Sequence, residues 1–326
     1  MKAITIDKND PDRRLHLEEQ PTPDRKASEV LIDVYAAGVN RADLSQRAGK
    51  YPPPPGASEI LGLEVAGTIA VVDPELTDWR VGDRVCALLS GGGYAEQAAV
   101  PAGMLMPIPS NLSYEQAAAI PEAFFTAYLN LFIEGGLKQG ESVLIHAGAS
   151  GVGTAAIQLA AHAGCRVFVT VGTNEKADFC RSLGAELAVN YRLTEFFDPI
   201  SAATSGAGVD VILDMVGGAY MSRNLDLLKS GGRQVVLAFM GGMKAEIDLS
   251  VLMKKRLTLK GSVLRSRSSA EKEILTKKFR DAYWPAFERG ELKTIIDSVY
   301  PLAEASNAHD KLRENKNTGK VILKVR

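Results

Sequence analysis

The chain has 326 residues, and its 38 Lys and Arg residues nearly balance 39 Asp and Glu residues. That length suffices for two domains with a core each. The near-neutral charge gives no electrostatic reason to expect nucleic acid or an acidic membrane as a partner, and no apolar run is long enough to span a bilayer. The three cysteines, which are scattered in apolar contexts, favour a reduced, cytoplasmic protein over a disulfide-bonded one; they are Cys86, Cys165 and Cys180.

The first third of the sequence predicts a β-rich, partly barrel-like domain. Residues 1–7 favour a strand and lack the apolar stretch of a secretory signal. Short apolar segments among glycines and prolines predict further strands; they cover residues 30–35, 61–72 and 83–88.

From residue 121 onward, the pattern changes to alternating helices and strands. A helix is predicted at 121–131, a second at 154–163 that Gly164 ends, and a third that Asn174 caps and Gly184 ends. Between and after them, short apolar runs predict parallel strands of a doubly wound sheet; they cover residues 142–146, 166–171, 187–190, 209–214, 233–237 and 257–263. The alternating end of the chain, 319–325, predicts a strand that pairs with the first domain. The predicted domains are 1–120 and 121–264, with 265–326 returning to the first.

The corner after the first parallel strand carries the strongest functional signal. A buried strand, a glycine-rich turn and a helix start would let backbone N–H groups approach a pyrophosphate. The turn departs from the ideal dinucleotide motif, because Ser150 stands where the middle glycine is expected. A plain tight strand–helix corner is the alternative. The predicted cofactor-binding residues of this turn are Gly148, Ser150, Gly151, Val152 and Gly153.

The end of the second parallel strand indicates which dinucleotide is bound. An NAD site usually has an acidic residue there to bind the ribose 2′-hydroxyl. Here Gly172 removes that charge, and Thr173 and Lys176 offer a hydroxyl and an ammonium, which favours NADPH over NADH. Glu175 argues against this if it points inward, and Lys176 is alternatively a solvated helix residue.

Several strings resemble the zinc-free quinone oxidoreductases of the medium-chain dehydrogenase/reductase superfamily; they lie at residues 37–43, 51–56, 62–67 and 82–85. The strings at 264–267 and 317–320 are similar to the tumour-suppressor-induced branch of that family. The resemblance covers nearly the whole chain in the expected order. It implies an α/β protein with a β-rich GroES-like catalytic domain and a Rossmann-type, doubly wound nucleotide domain that binds NADPH.

The resemblance also bears on metal binding. Zinc alcohol dehydrogenases carry Cys and His at the positions that Asn40 and Leu63 occupy here, and the chain lacks four closely spaced thiolates for a structural site. We therefore expect no metal. Without a Lewis acid to stabilise an alkoxide, an electron-poor acceptor such as a quinone is expected.

The family pattern implies further roles. Asn40 and Thr126 would approach the nicotinamide and its ribose, Tyr51 would face the acceptor as a proton donor or as a packing lid, and Ser150 would donate to a phosphate or shape the pocket. His146 is expected in the core. The remaining residues that the resemblance assigns to the cofactor are Tyr191, Phe239, Met240, Gly241, Val263, Leu264, Arg265 and Asn317.

Three functions stay open at this point. The first is an NADPH:quinone oxidoreductase, and the second is an NADPH-dependent reductase of activated C=C bonds in enals, enones or enoyl thioesters. The third is a non-catalytic, crystallin-like NADPH-binding protein. A small-molecule acceptor and a homodimer joined along residues 257–263 are the expected partners, with neither nucleic acid nor a membrane.

Overall fold

A computed structural model describes all residues, Met1–Arg326. The strands, in chain order, are β1 (Lys2–Ile6), β2 (Leu15–Glu19), β3 (Glu29–Val39), β4 (Glu64–Val71), β5 (Arg84–Leu88), β6 (Gln97–Pro101), β7 (Leu105–Pro107), β8 (Ser142–Ile145), β9 (Arg166–Val171), β10 (Leu187–Asn190), β11 (Val209–Asp214), β12 (Leu228–Val236), β13 (Thr258–Gly261), β14 (Ile296–Pro301) and β15 (Lys320–Lys324). The α-helices are α1 (Arg41–Arg47), α2 (Tyr114–Ala118), α3 (Pro121–Tyr128), α4 (Gly151–His162), α5 (Asn174–Ser182), α6 (Phe197–Ala203), α7 (Met221–Leu227), α8 (Leu249–Lys254), α9 (Ser269–Glu288) and α10 (Ala305–Arg313). None of them combines the length and apolarity that a membrane crossing requires.

The chain forms two compact units. Unit 1 comprises Met1–Phe125 and Arg265–Arg326, and unit 2 comprises Thr126–Leu264.

Unit 1 is built on a seven-stranded sheet of order β14-β15-β3-β4-β5-β7, with β6 paired to β3 beside that path. The C-terminal strand β15 runs antiparallel to β3, with Val321 opposite Val39. Strand β4 is shorter than the predicted 61–72 and begins at Glu64. The reason is Gly62, whose φ of +100° interrupts the extended chain and whose added Cβ would lie 2.6 Å from the Gly93 Cα.

Unit 2 contains a six-stranded sheet of order β10-β9-β8-β11-β12-β13, and every neighbouring pair is parallel. The chain runs outward from β8 to β10 and then returns to the other side of β8, so the predicted doubly wound sheet is confirmed. Strand β13 lies at one edge, as residues 257–263 were expected to, but only Thr258–Gly261 pair. The helices connect successive strands and cover the apolar sheet.

Two helix starts differ from the sequence prediction. Helix α4 begins at Gly151 and not at 154, because the Ser150 side chain accepts a hydrogen bond from the Gly153 N–H and closes the first turn. Helix α5 is capped by Thr173 and not by Asn174, because Thr173 is the residue with extended backbone and its side chain accepts from the Lys176 N–H. The helix predicted at 121–131 ends at Tyr128 and continues as a π-helical segment, Leu129–Glu134.

Candidate active site

The glycine turn of unit 2 joins β8 to α4 and is closely packed. A Cβ on Gly148 would lie 2.7 Å from the Cβ of Val169, and one on Gly153 would lie 2.4 Å from the Ala147 carbonyl oxygen. Ala147 itself has a φ of +52°. Only glycine fits at both positions, and the N-terminal N–H groups of α4 have no acceptors within their own helix. This backbone cradle fits a dinucleotide pyrophosphate.

Ser150 already has a structural role in this turn. Its hydroxyl oxygen accepts a hydrogen bond of 3.0 Å from the Gly153 N–H, and its O–H contacts the Met215 sulfur at 3.8 Å. The predicted contact of Ser150 with a phosphate or with the pocket wall stays a prediction, and it would have to coexist with the capping bond.

The corner after β9 brings Gly172 and Tyr191 together, because a Cβ on Gly172 would lie 3.0 Å from the Tyr191 hydroxyl. Lys176 follows in the first turn of α5, whose cap is Thr173. Glu175 is exposed, and hydrogen bonds from its own N–H and from Thr173 lower the pKa of its carboxyl. A negative charge therefore persists next to the residues predicted to favour NADPH.

The loops after β11 and β12 lie at the same edge of the sheet as the glycine turn, since all these strands are parallel. The Met240 and Gly241 N–H groups donate to the Met215 and Val216 carbonyls at 3.2 and 2.7 Å. Phe239 and Met240 expose 59% and 50% of their surface, which leaves them available to a ligand.

At the ends of unit 2, Thr126 and Leu264 are buried and Val263 is 47% exposed.

His146 is fully buried, as expected for a core residue. Its ring nitrogens hydrogen-bond Thr170 at 3.0 Å and Asn224 at 2.9 Å, and burial lowers its pKa. A neutral imidazole with both nitrogens engaged has no role as a base.

Unit 1 holds an unforeseen group of buried polar side chains, the Asn40 cluster, made of Asn40, Glu64 and Lys320. The Lys320 ammonium donates to Asn40 Oδ1 and to Glu64 Oε1, each at 2.6 Å, and to the Val39 carbonyl at 3.1 Å. The Asn40 amide donates to Glu64 Oε1 at 2.9 Å. Glu64 is 0% and Lys320 5% exposed at the side chain. The amide of Asn40 is thus fixed in orientation, with its oxygen bound to a cation.

The glycine at position 38 makes room for this cluster. A Cβ on Gly38 would lie 2.1 Å from Glu64 Oε1. Glu64 also accepts a 2.8 Å bond from the Glu122 N–H through its other oxygen. Every oxygen and ammonium proton of the ion pair is therefore satisfied, as a buried pair requires.

Asp43 accepts hydrogen bonds from nearby backbone groups and also leads to a buried chain of polar groups. Its carboxylate accepts from the Asn40 N–H at 2.8 Å and from the Gly62 N–H at 3.0 Å. The Tyr94 hydroxyl lies 3.1 Å from Asp43 and 3.2 Å from His309 Nε2. Burial raises the pKa of Asp43 to about 6 and lowers that of His309 to about 3.

Tyr51 and Arg265 are neighbours in unit 1. The guanidinium carbon of Arg265 lies 5.3 Å from the centre of the Tyr51 ring. Arg265 is only 4% exposed and donates to the Ser90 carbonyl and to Gln46 Oε1. Burial, together with Glu122, raises the pKa of the Tyr51 phenol. The phenol therefore keeps its proton at neutral pH and can donate it.

Asn317, the last predicted cofactor residue, is buried and donates to the Gly319 carbonyl at 2.7 Å.

No prediction from the sequence assigned a role to Glu64, Glu122 or Lys320. The sequence does contain a hint of this ion pair, because Glu64 opens an apolar strand and Lys320 opens the apolar C-terminal strand with the opposite charge.

No group of three or more His, Cys, Asp or Glu side chains is placed to hold a metal ion.

Comparison with known proteins identifies two family models in the chain. Residues 26–110 match the alcohol dehydrogenase GroES-like domain, and residues 151–279 match the zinc-binding dehydrogenase family. Quinone oxidoreductase of Sus scrofa is 35% identical over 303 residues, which cover 92% of this chain and 90% of that protein. Quinone oxidoreductase of Homo sapiens is 34% identical with the same coverage.

Solved structures agree with these relatives. Escherichia coli quinone oxidoreductase complexed with NADPH superposes with a TM-score of 0.89 at 28% identity, over 100% of both chains. The CurK enoyl reductase gives 0.88 at 28% identity, over 100% of this chain and 99% of that one. Together with the glycine cradle, these matches show that the chain is an oxidoreductase of the medium-chain dehydrogenase/reductase superfamily, in the family of the quinone oxidoreductases.

Proposed function

We propose that this protein is an NADPH-dependent quinone oxidoreductase that works without a metal ion. The observation that carries the metal-free part is the Asn40 cluster. Position 40 holds an amide, not a thiolate, and the amide oxygen is bound to the Lys320 ammonium at 2.6 Å. A site without a Lewis acid does not stabilise an alkoxide, whereas a quinone is electron-poor enough to accept a hydride directly.

Unit 2 carries the residues for the cofactor. The glycine turn would hold the pyrophosphate, and Gly172, Thr173, Lys176 and Tyr191 would hold the adenosine end with its 2′-phosphate. When bound, NADPH supplies the hydride. Phe239, Met240 and Gly241 would border the nicotinamide.

Unit 1 carries the residues for the acceptor. Tyr51 would hydrogen-bond the acceptor oxygen and donate its proton as negative charge develops there. The nearby Arg265 guanidinium favours the phenolate that this transfer leaves behind. Asn40, held by Lys320 and Glu64, presents an amide of fixed orientation.

A reductase of activated C=C bonds is the second candidate, supported by the similarity to an enoyl reductase. Steady-state turnover with quinones, enones and enoyl thioesters, each with NADPH and with NADH, tests both. The proposal predicts the highest kcat/KM for a quinone with NADPH. Preference for an enoyl thioester would favour the second candidate, and binding of NADPH without any turnover would favour the non-catalytic alternative.

We further propose a homodimer joined along β13 and a cytoplasmic location. All four residues of β13 are exposed, and Leu259 and Val263 nearby expose 39% and 47% of their surface. An edge strand with unpaired backbone groups is suited to pairing with a second copy. The three cysteines are free, in keeping with a reducing compartment. Light scattering after gel filtration would measure the mass, and a monomer would contradict the dimer.

A further inference from the structure

Ser90 lies in unit 1, two residues after β5, where the chain enters a run of three glycines. The glycine segment is fixed in place, because the Gly92 N–H donates to the Ile60 carbonyl at 2.7 Å. It also packs closely, since a Cβ on Gly91 would lie 2.4 Å from the Ser58 carbonyl oxygen. Ser90 itself is half-buried. Its position is therefore well defined, and part of its surface remains accessible.

Two buried cations bind to Ser90. The Lys272 ammonium donates to the Ser90 hydroxyl oxygen at 2.7 Å. The Arg265 guanidinium donates to the Ser90 carbonyl oxygen, through Nε at 2.9 Å and through Nη2 at 2.8 Å. The cations are also joined to each other, because the ammonium donates to the Arg265 carbonyl at 2.6 Å. Ser90, Arg265 and Lys272 thus form one connected set, which we call the Ser90 group.

The two cations of the Ser90 group are costly for the fold. Lys272 is 3% and Arg265 is 4% exposed, and their hydrogen bonds go to uncharged oxygens and not to a carboxylate. Lys272 is also the fourth residue of α9, near the end of the helix where the dipole disfavours a positive charge. Buried cations without a counter-charge lower stability. Their presence together therefore points to a functional role.

The Ser90 hydroxyl still has a proton to donate. An ammonium can only donate, so the bond from Lys272 occupies a lone pair of the hydroxyl oxygen and leaves its proton free. The protein supplies no acceptor for that proton. The half-buried Ser90 can therefore donate a hydrogen bond to a ligand.

Tyr51 adds a second free hydroxyl beside the same group. Its ring lies over Arg265, with 5.3 Å between the guanidinium carbon and the ring centre, and its phenol has no hydrogen-bond partner in the protein. The guanidinium that contacts this ring is the one bound to the Ser90 carbonyl. Arg265 Nη1 is likewise buried without a partner. All these free groups are donors, so the complementary ligand atom is an acceptor oxygen.

Lys272 strengthens the Ser90 hydroxyl as a donor. Hydrogen bonds that follow one another in a chain polarise each other, and here the first donor carries a full positive charge. A polarised donor stabilises an oxygen most when negative charge develops on it. The arrangement therefore favours a ligand whose oxygen becomes negative during the reaction.

We propose, on the basis of the function proposed above, that Ser90 is a second hydrogen-bond donor to the acceptor oxygen and that Lys272 polarises and positions its hydroxyl. A carbonyl oxygen has two lone pairs, of which one takes the Tyr51 proton and the other accepts from Ser90. As hydride is added to the quinone, negative charge develops on this oxygen and strengthens the bond from Ser90. Ser90 keeps its own proton, the Tyr51 O–H bond breaks as the hydroquinone O–H bond forms, and water restores the Tyr51 proton.

The first test removes the Ser90 hydroxyl and measures NADPH oxidation by menadione in single turnover, which isolates the chemical step. In Ser90→Ala the rate should fall by roughly 10²-fold, the low end for the loss of one donor to a developing oxyanion. NADPH affinity, measured by fluorescence titration, should not change. Ser90→Cys keeps the size of the side chain but offers only a weak donor, so its rate should fall similarly even if the alanine variant folds poorly.

Ser298→Ala is the matched control, because Ser298 is also a half-buried serine of unit 1 whose hydroxyl lacks a partner, but it lies on β14. Its rate should equal that of wild type.

The second test asks whether Lys272 acts through Ser90. Lys272→Met should lower kcat for menadione reduction in the wild-type background, with a smaller effect on KM. In the Ser90→Ala background the same change should lower kcat much less, since the hydroxyl that Lys272 polarises is gone. Lys278→Met, at an exposed position of the same helix, should match wild type. Equal effects of Lys272→Met in both backgrounds would contradict the positioning role.

The outcomes separate this inference from the function on which it rests. Wild-type protein that binds NADPH but reduces no quinone would overturn the proposed function and the role of Ser90 with it. Active wild type together with Ser90→Ala and Ser90→Cys of unchanged single-turnover rate would overturn the role of Ser90 alone.

Discussion

The glycine turn of unit 2 and the Asn40 cluster of unit 1 achieve tight packing in opposite ways. The turn uses backbone groups of residues that follow one another in the chain, and its glycines matter because they lack side chains. The cluster uses the side chains of Asn40, Glu64 and Lys320, which come from separate parts of the chain. Glu64 and Lys320 neutralise each other, and Asn40 hydrogen-bonds to both. A substitution in the turn should therefore alter ligand binding. A substitution in the cluster should instead alter the stability of the fold.

The largest effect is expected from Lys320→Met, which leaves the Glu64 carboxylate buried without its cation. Breaking a buried ion pair from one side costs about 3–5 kcal/mol in the free energy of unfolding, measurable by urea denaturation. Lys324→Met, in the same strand but exposed, is the control and should change little. If both variants lose equally little free energy of unfolding, the cluster does not stabilise the fold.

Tyr51→Phe should act on chemistry and not on folding. The loss of the phenol proton should lower kcat for quinone reduction by roughly 10²-fold, the low end for general-acid catalysis because quinones are reactive. NADPH affinity should hardly change. Tyr35→Phe is the control, since Tyr35 stacks on Tyr114 in unit 1. An unchanged kcat with a raised KM would mean that Tyr51 only packs against the acceptor ring.

Gly153→Ala probes the turn. The added methyl group would collide with the Ala147 carbonyl oxygen, 2.4 Å from the ideal Cβ. Shifting the turn should cost about 1–3 kcal/mol, read as weaker binding of NADPH and NADH alike by fluorescence titration. Gly261→Ala is the control, because no heavy atom lies within 4 Å of its new Cβ. This variant should bind both cofactors as tightly as wild type. Unaltered affinity in Gly153→Ala would show that the turn does not hold the cofactor.

Lys176→Ala should separate the two cofactors. Loss of a partly exposed, charge-assisted bond to the 2′-phosphate should weaken NADPH binding by about 1–2 kcal/mol and leave NADH binding nearly unchanged. Isothermal titration would measure both. Lys254→Ala, at the exposed end of α8, serves as a control. Equal losses of affinity for the two cofactors would mean that Lys176 has only a structural role and does not bind the 2′-phosphate.

The smallest effect is expected from metal removal. Since position 40 offers an amide already bound to an ammonium, exhaustive chelation should leave quinone reduction unchanged, and elemental analysis should find no stoichiometric zinc. Inactivation by a chelator that added zinc reverses would contradict the metal-free proposal.

These two regions also show what the sequence can predict. The parallel strands and the glycine turn follow from local pattern, because each is specified by a few adjacent residues. The cap of α5 was misassigned since Thr173 and Asn174 are both good capping residues, and only the backbone conformation of Thr173 decides between them. The Asn40 cluster depends on a strand pairing between opposite ends of the chain, and on sequence alone Lys320 looks like any lysine at the start of an alternating strand.

The lysine in the Asn40 cluster has a consequence for protein engineering. A designer who introduced a thiolate by Asn40→Cys would place it beside the Lys320 ammonium, which would neutralise it as an ion pair. A divalent cation would then meet a fixed positive charge at close range, at a cost of several kcal/mol even with an effective dielectric constant of about 20. Converting this scaffold to a metalloenzyme would therefore have to begin with the removal of Lys320, so that the metal takes over as the counter-charge of Glu64.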